Sequence, residues 1–419
     1  MGTGTPTTGA FTPWDGVTGE EFAGGGDDEG ADAYTGNIVD RSSSTGPGHG
    51  ASVTSGKKAK SNPTFNFGFE GLNHYQQRYS RGGNQFSVEP PDQGMCVGNG
   101  YVVEVVNDVF NVYSQATGAS LLPDNTATNI VAGFPRNVNH AVDLNSFYGY
   151  PPAINRTTGV RGEFVTDPSC IYDAATQRFF LVVLTIDPQV NGPCQRVFSC
   201  VNHLDLAVSQ TADPTGKWNI YKLDVTNDGT NSGGVNPGPY LGDYPHIGAD
   251  ANGIYLTTNA YPWHGNGFSG AQIYALSKAQ LAAGAASVTM QHINTFGLVG
   301  APSDAGDTQP GFTLWPAQSP GTGSFPTANN GTEYLLSSNA ADEAQEPVSG
   351  VAGTRTSDQL IVWTLTNTAS LNTGTAALSL SNKILTVGQY GVPPRQQQPG
   401  SGTAPGEAAQ RAVSPVRAS

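Results

Sequence analysis

Asp167-Pro-Ser-Cys-Ile-Tyr-Asp-Ala-Ala-Thr-Gln-Arg-Phe-Phe-Leu-Val-Val-Leu-Thr185 carries the pattern from which the rest of the chain is read. A turn-forming Asp leads into a short buried-looking segment, and an aromatic then starts an apolar run. A third strand, Leu206-Ala-Val-Ser209, closes on a hydroxyl. The phrase opens again at Asp92, Asp243 and Leu314, a spacing of roughly 75 residues. Its lead-in segments are Met95-Cys-Val97, Ser169-Cys-Ile171, Pro245-His-Ile247 and Pro316-Ala-Gln318. Its apolar runs are Tyr101–Asn107, Phe180–Thr185, Tyr255–Asn259 and Tyr334–Asn339; its closing strands include Asn111–Ser114, Tyr274–Ser277 and Trp363–Thr366. Sheet units that cannot bury their faces alone must stack on each other, which is the logic of a β-propeller. The expectation is an all-β propeller of four or five four-stranded blades, either a small ring or a truncated one, with disordered termini.

Composition agrees with many short strands joined by tight turns. Charged residues make up 12% of the 419, about half the usual share of roughly 25%. Gly (54) and Pro (29) are abundant, and both are turn formers. The only helix-like piece is Ser277–Gly284. The net charge is −14, and Lys57-Lys-Ala-Lys60 is the one basic cluster. Nucleic acid is therefore excluded as a partner, because phosphate binding needs a concentrated positive face. No apolar run approaches the roughly 20 residues of a membrane-spanning helix. Residues 1–61 and 393–419 read as disordered, leaving 62–392 as the propeller. The stretch after Met1 lacks the basic and apolar parts of a secretory signal. Low Lys, few charges and four paired-looking cysteines nevertheless resemble exported proteins, so the expectation is an extracellular or cell-surface monomer.

Along the chain, Phe65-Asn-Phe-Gly-Phe-Glu70 alternates with period two and predicts a strand that completes the last blade. Blade one runs from Glu89 to about Phe164 with an insertion at Asn137–Arg161. Blade two covers Asp167–Asp224, blade three Asp243–Asn294 and blade four Phe312–Leu385. The long period puts about 25 residues per unit into loops, where a propeller carries its binding surface.

The repeat places Cys96, Cys170 and His246 at matching points of consecutive inner strands. Three readings are open there: a Cys96–Cys170 disulfide with His246 an ordinary channel residue, free core thiols, or a Cys-Cys-His zinc site short of its fourth ligand. The disulfide is favoured and no metal is expected. Cys194 and Cys200 read as a local loop staple. Asp92, Asp167 and Asp243 are either turn formers beside Pro or a partial ring of carboxylates at one mouth. Glu104 stands inside Val102-Val-Glu-Val-Val106; on a dry face its pKa rises and it can act as a general acid, and on a half-wet face it is structural. Asp224-Val-Thr-Asn-Asp-Gly229 matches half of a calcium loop, but position twelve is Val235 instead of Glu. Calcium there is the only cofactor considered. Tyr240, Tyr244, Tyr261, Trp263, His264 and Trp315 crowd blades three and four, where aromatics at a mouth stack on sugar rings and core packing is the bland explanation.

Ser209-Gln-Thr-Ala-Asp-Pro-Thr-Gly-Lys-Trp218 resembles a stretched Asp-box, the structural hairpin turn of sialidase-like propellers. With Pro90-Pro-Asp92, Asp167-Pro-Ser169 and Asp243-Tyr-Pro-His-Ile-Gly248, the chain is similar over about 62–395 to exported bacterial propeller proteins with such repeats. The resemblance implies the fold and no assigned activity. Sialidase chemistry does not carry over: Phe134-Pro-Arg136 is not the family's Arg-Ile-Pro, and no arginine triad or Tyr/Glu nucleophile pair is recognisable. The expected function is a non-catalytic exported propeller that binds a glycan or protein through its loop-rich mouth. The alternative is a carbohydrate-active enzyme, hydrolase or lyase, using Asp92, Asp167, Asp243 or Glu104.

Overall fold

A computed structural model describes residues 67–86, 88, 92–124, 140–188, 198–229, 238–264, 270–295, 312–318, 325–338 and 356–391. The repeat folds into four four-stranded antiparallel sheets, each an up-and-down meander, and these are the blades of a β-propeller. Blade one holds β1 (Gln93–Gly98), β2 (Tyr101–Val106), β3 (Val109–Ser114) and β4 (Val142–Asp143). Blade two holds β5 (Phe164–Asp173), β6 (Arg178–Pro188), β7 (Phe198–Ser209) and β8 (Trp218–Asp224). Blade three holds β9 (Tyr240–Ala249), β10 (Gly253–Pro262), β11 (Ala271–Ser277) and β12 (Met290–Asn294). Blade four holds β13 (Phe312–Pro316), β14 (Thr332–Ser338), β15 (Thr356–Thr366) and β16 (Ser379–Gly391).

The first strands, β1, β5, β9 and β13, lie side by side in that order. The last neighbours are joined by a parallel bridge, Ala249 to Gln318, and by the Gln318 side chain donating to the Ile247 carbonyl at 2.9 Å. Alternate side chains of the strands in blades two and three enter two different apolar layers, as the two-residue period requires. Val103, Val105 and Phe110 of blade one pack on Val165, Leu181 and Trp218 of blade two. Phe180, Val182 and Leu204 on the other side of blade two meet Ile247, Ile254 and Leu256 of blade three. Tyr255 and Ile273 of blade three meet Leu335, Ile361 and Trp363 of blade four. Burying an apolar side chain in such a layer contributes about 1.5–3 kcal/mol, and no blade could do so alone.

Cys96 and Cys170 form a disulfide between β1 and β5, with Cα atoms 5.5 Å apart, which excludes the thiol and zinc readings. Cys200 is also disulfide-bonded, while Cys194 lies outside the described residues. The expected closing strand at Phe65–Glu70 is corrected: Phe67–Glu70 are not in a strand, and 65–66 are outside the described residues. Phe69 instead lays its ring on Tyr113 at 5.2 Å. A segment that finds apolar cover through a side chain does not need a ladder of backbone bonds. The expected disorder of 1–61 and 393–419 falls outside the described residues. Besides α3 (Lys278–Ala282, N-capped by Ser277), two unexpected short helices occur. They are α1 (His74–Tyr79), opened by a capping box between Asn73 and Gln76, and α2 (Leu144–Tyr148), capped by Asp143. Each spans barely more than one turn, too short for a periodic apolar pattern to reveal. No helix among the described residues is long and apolar enough to cross a membrane.

Candidate functional site

The inner strands are not regular at the end where they begin. The β5–β6 register slips between Thr166 and Ser169, and the β9–β10 register slips between Asp243 and His246. Each slip is a bulge whose extra residue has a left-handed backbone, Asp167 with φ 53° and Tyr244 with φ 51°. The equivalent of Asp167 is therefore Tyr244, and Asp243 takes the place of Thr166. The same offset makes His246 the counterpart of Ser169 instead of Cys170. A one-residue shift exchanges the two faces of a strand, so His246 never shared a face with the cysteines.

The bulges nevertheless bring the three recurring aspartates together. The Asp167 carboxyl interacts with the carboxyls of Asp92 and Asp243 and with the Tyr244 backbone N–H. Asp167 and Asp243 are buried, and Asp92 is half-buried. Burial raises the Asp167 pKa, since a charge without water is penalised, and its hydrogen bonds only partly oppose that. A fourth acid, Asp108, is fully buried nearby; burial and repulsion from Asp143 and Asp167 raise its pKa well above the ordinary range. Asp143 itself is held by Arg81, whose Nη1 lies 3.3 Å from Oδ2.

Aromatics adjoin the carboxyls. Tyr244 meets His246 edge-on at 4.4 Å, and His246 stacks on Trp315 of blade four at 3.8 Å. Trp315 keeps half of its surface, 50%, in solvent. Burial lowers the His246 pKa to about 3, so the imidazole is neutral, and its buried Nε2 makes no hydrogen bond within the described residues. Asp92, Asp167, Asp243, Tyr244, His246 and Trp315 thus form one contiguous cluster of side chains, the candidate site.

The other sequence candidates lie elsewhere. Glu104 faces outward from blade one, where its Oε2 accepts the Leu72 N–H at 2.8 Å. Burial raises its pKa, opposed by that bond and by Tyr113, and its position makes it an anchor for the N-terminal segment. Trp263 is buried in the layer between blades two and three. His264 is exposed, with Nε2 3.5 Å from the Cys200 sulfur. In the calcium-like loop, Asp224 Oδ1 accepts the Thr226 N–H at 2.9 Å, and Val235 is outside the described residues. The Asp-box-like turn is tied by Asp213 Oδ1, which accepts from Thr215 N–H at 2.9 Å and hydroxyl at 2.7 Å. Trp218 anchors it by donating from Nε1 to the Pro214 carbonyl.

Asn107 and Asp108 were missed. The signal was present, because the apolar runs Tyr101–Asn107 and Tyr255–Asn259 both end on Asn. In the fold each Asn reaches the next blade's inner strand: Asn107 Oδ1 accepts from Thr166 Oγ1, and Asn259 Nδ2 donates to Thr313 Oγ1, both at 3.0 Å.

No family model matches this chain, and no curated protein matches it. Among solved structures, an exo-β-1,3-galactanase from Clostridium thermocellum is similar at 14% identity and a TM-score of 0.31, over 72% of this chain and 49% of that one. A GH43 β-1,3-galactosidase solved with galactodeoxynojirimycin is similar at 13% identity and a TM-score of 0.30, over 71% and 77%. A GH43_1 enzyme from Xanthomonas citri complexed with xylose is similar at 11% identity and a TM-score of 0.27, over 71% and 90%. The chain spans about half the length of the galactanase.

Proposed function

We propose that this propeller is a carbohydrate-active enzyme of the glycoside-hydrolase type, with Asp92, Asp167 and Asp243 as its acid–base centre. The observation that carries the reading is the meeting of three acidic side chains at Asp167, two of them buried. Carboxyls crowded in a dry place do not all ionise together, and such a cluster can supply an acid and a base in the same place. Glycosidic cleavage uses carboxyl pairs about 5–10 Å apart. The half-exposed Trp315 is the platform on which a sugar ring would stack. The Asp-box-like turn at Ser209–Trp218 is read as structural. An extracellular setting fits the Cys96–Cys170 disulfide, which persists in oxidising compartments.

The second reading, glycan binding without turnover, is favoured by the burial of Asp167 and Asp243 beneath an accessible Trp315. A panel of chromogenic glycosides and a glycan array separate the two. Turnover that falls 100-fold or more in Asp167→Asn, on the scale of a lost acid–base group, supports the enzyme. Binding that weakens in Trp315→Ala, with no turnover in the parent protein, replaces it with the second reading. Neither turnover nor binding would end both.

A further inference from the structure

The hydroxyl of Thr166 has one proton and two close acceptors. Its Oγ1 lies 3.0 Å from Asn107 Oδ1 and 2.8 Å from Asp167 Oδ1. The orientation of the Asn107 amide is settled independently, since Oδ1 also accepts the Asp167 backbone N–H at 3.2 Å. The atom facing Thr166 from the Asn107 side is therefore an acceptor and has no proton to give. If Thr166 donates to Asp167, two lone pairs are left facing each other at Asn107. If Thr166 donates to Asn107, its own lone pair faces Asp167 Oδ1, and that contact is favourable only when Oδ1 carries a proton. All three contacts are satisfied in one arrangement: Asp167 Oδ1–H donates to Thr166, and Thr166 donates to Asn107.

We infer that Asn107 is a positioning residue which, through the Thr166 hydroxyl, holds Asp167 in its protonated form. Asn107 and Thr166 are themselves fully buried, so no solvent competes for these bonds. The groups that face Asp167 from the neighbouring strands are Asp92 ahead of β1, Asp108 between β2 and β3, and Asp243 and the Tyr244 N–H on β9. Burial and the repulsion between Asp108 and Asp167 favour the same neutral state, whereas Asp92, Asp243 and the Tyr244 N–H favour the charged one, so the relay adds to the first group and opposes the second. It deepens the acid–base reading of the site, yet the hydrogen-bond accounting stands whether or not a glycoside is ever cleaved.

The test is a carboxyl-carbon NMR titration of the full chain labelled at aspartate, with no substrate present. The Asp167 resonance is identified by its loss in Asp167→Asn. In Thr166→Val, a near-isosteric change, the acid proton loses its acceptor and the Asp167 midpoint falls by about one pH unit, tenfold in proton affinity. In Asn107→Leu the Thr166 hydroxyl is released to donate to the carboxylate, and the midpoint falls likewise. A midpoint that rises in Thr166→Val would mean that Thr166 donates to a carboxylate, and overturns the relay. An unchanged midpoint does the same. Should Asn107→Leu fail to fold, Thr166→Val alone decides. A fall in midpoint without glycosidase activity removes the enzyme reading and leaves the relay in place.

Discussion

Blade one and blade four each have a face turned away from the other described blades, and the chain treats these faces differently. On blade one, Val102, Val106 and Tyr113 are buried on that side, although no sheet covers them there. The cover is the segment before α1: Phe69 rests on Tyr113, and Leu72 is tied to Glu104. A side chain at Gly71 would meet the Glu104 carboxylate, the far end of a flexible side chain, and push it away from the Leu72 N–H. On blade four, Leu335 and Trp363 are buried against blade three, while Tyr334 and Leu336 on the opposite face are each 45% exposed. A strand's alternation reports that both faces are apolar. It does not report whether anything lies on them.

The comparison can be broken most severely at the covered face of blade four. Trp363 is fully buried and donates from Nε1 to Ser337 Oγ at 2.9 Å. Trp363→Ala is expected to cost about 3–5 kcal/mol in chemical denaturation. A loss below about 1 kcal/mol would mean that blades three and four are not packed as described.

Glu333, buried in the same blade, gives a pH signature. Burial, reinforced by Asp250, pushes its pKa up to about 9 against an unperturbed 4.5, opposed by the Ala317 N–H and Lys278. A carboxyl with a raised folded-state pKa prefers the protonated, acidic side. Its contribution is complete below pH 4.5 and is lost as the pH rises through about 9. Thermal melts between pH 5 and 10 should therefore show stability falling with pH, by at most about 1.4 kcal/mol per unit for one proton. Glu333→Gln should flatten that dependence, and an unchanged slope would remove Glu333 as its source.

Smaller effects sharpen the contrast between the free faces. Glu104→Ala leaves the Leu72 N–H without its acceptor and should cost about 1 kcal/mol. It should also speed proteolysis between residues 67 and 83, making blade one resemble blade four. Leu336→Lys, on the bare face, should change stability by less than about 0.5 kcal/mol in the same denaturation assay. A cost comparable to that of Trp363→Ala would show that the face is covered after all.

Several members of the candidate cluster stood out in the sequence because their residue types are rare in their settings. Asp beside Pro at each strand entrance, and aromatics in blades three and four, named Asp92, Asp167, Asp243, Tyr244, His246 and Trp315. Their equivalence was misjudged by one position, because a β-bulge adds a residue without changing composition. Asp167 and Asp243 look alike in the repeat but sit at different bulge positions. Glu104 was singled out for chemistry by its apolar neighbours; the segment that claims it is more than 30 residues away in the chain. Asn107 and Asp108 were passed over because a polar pair after an apolar run also describes an ordinary turn.

Periodicity alone was enough to predict repeated sheets and their order along the chain, and to favour, among three open readings, the partnership of Cys96 with Cys170. These follow from local alternation and from a repeat whose faces must be buried. Which acids gather around Asp167, which side chains of blade four are exposed and which acceptors meet the Thr166 hydroxyl were decided only in three dimensions. Each depends on contacts between blades, and a single bulge that leaves the chain's pattern intact is enough to redirect them.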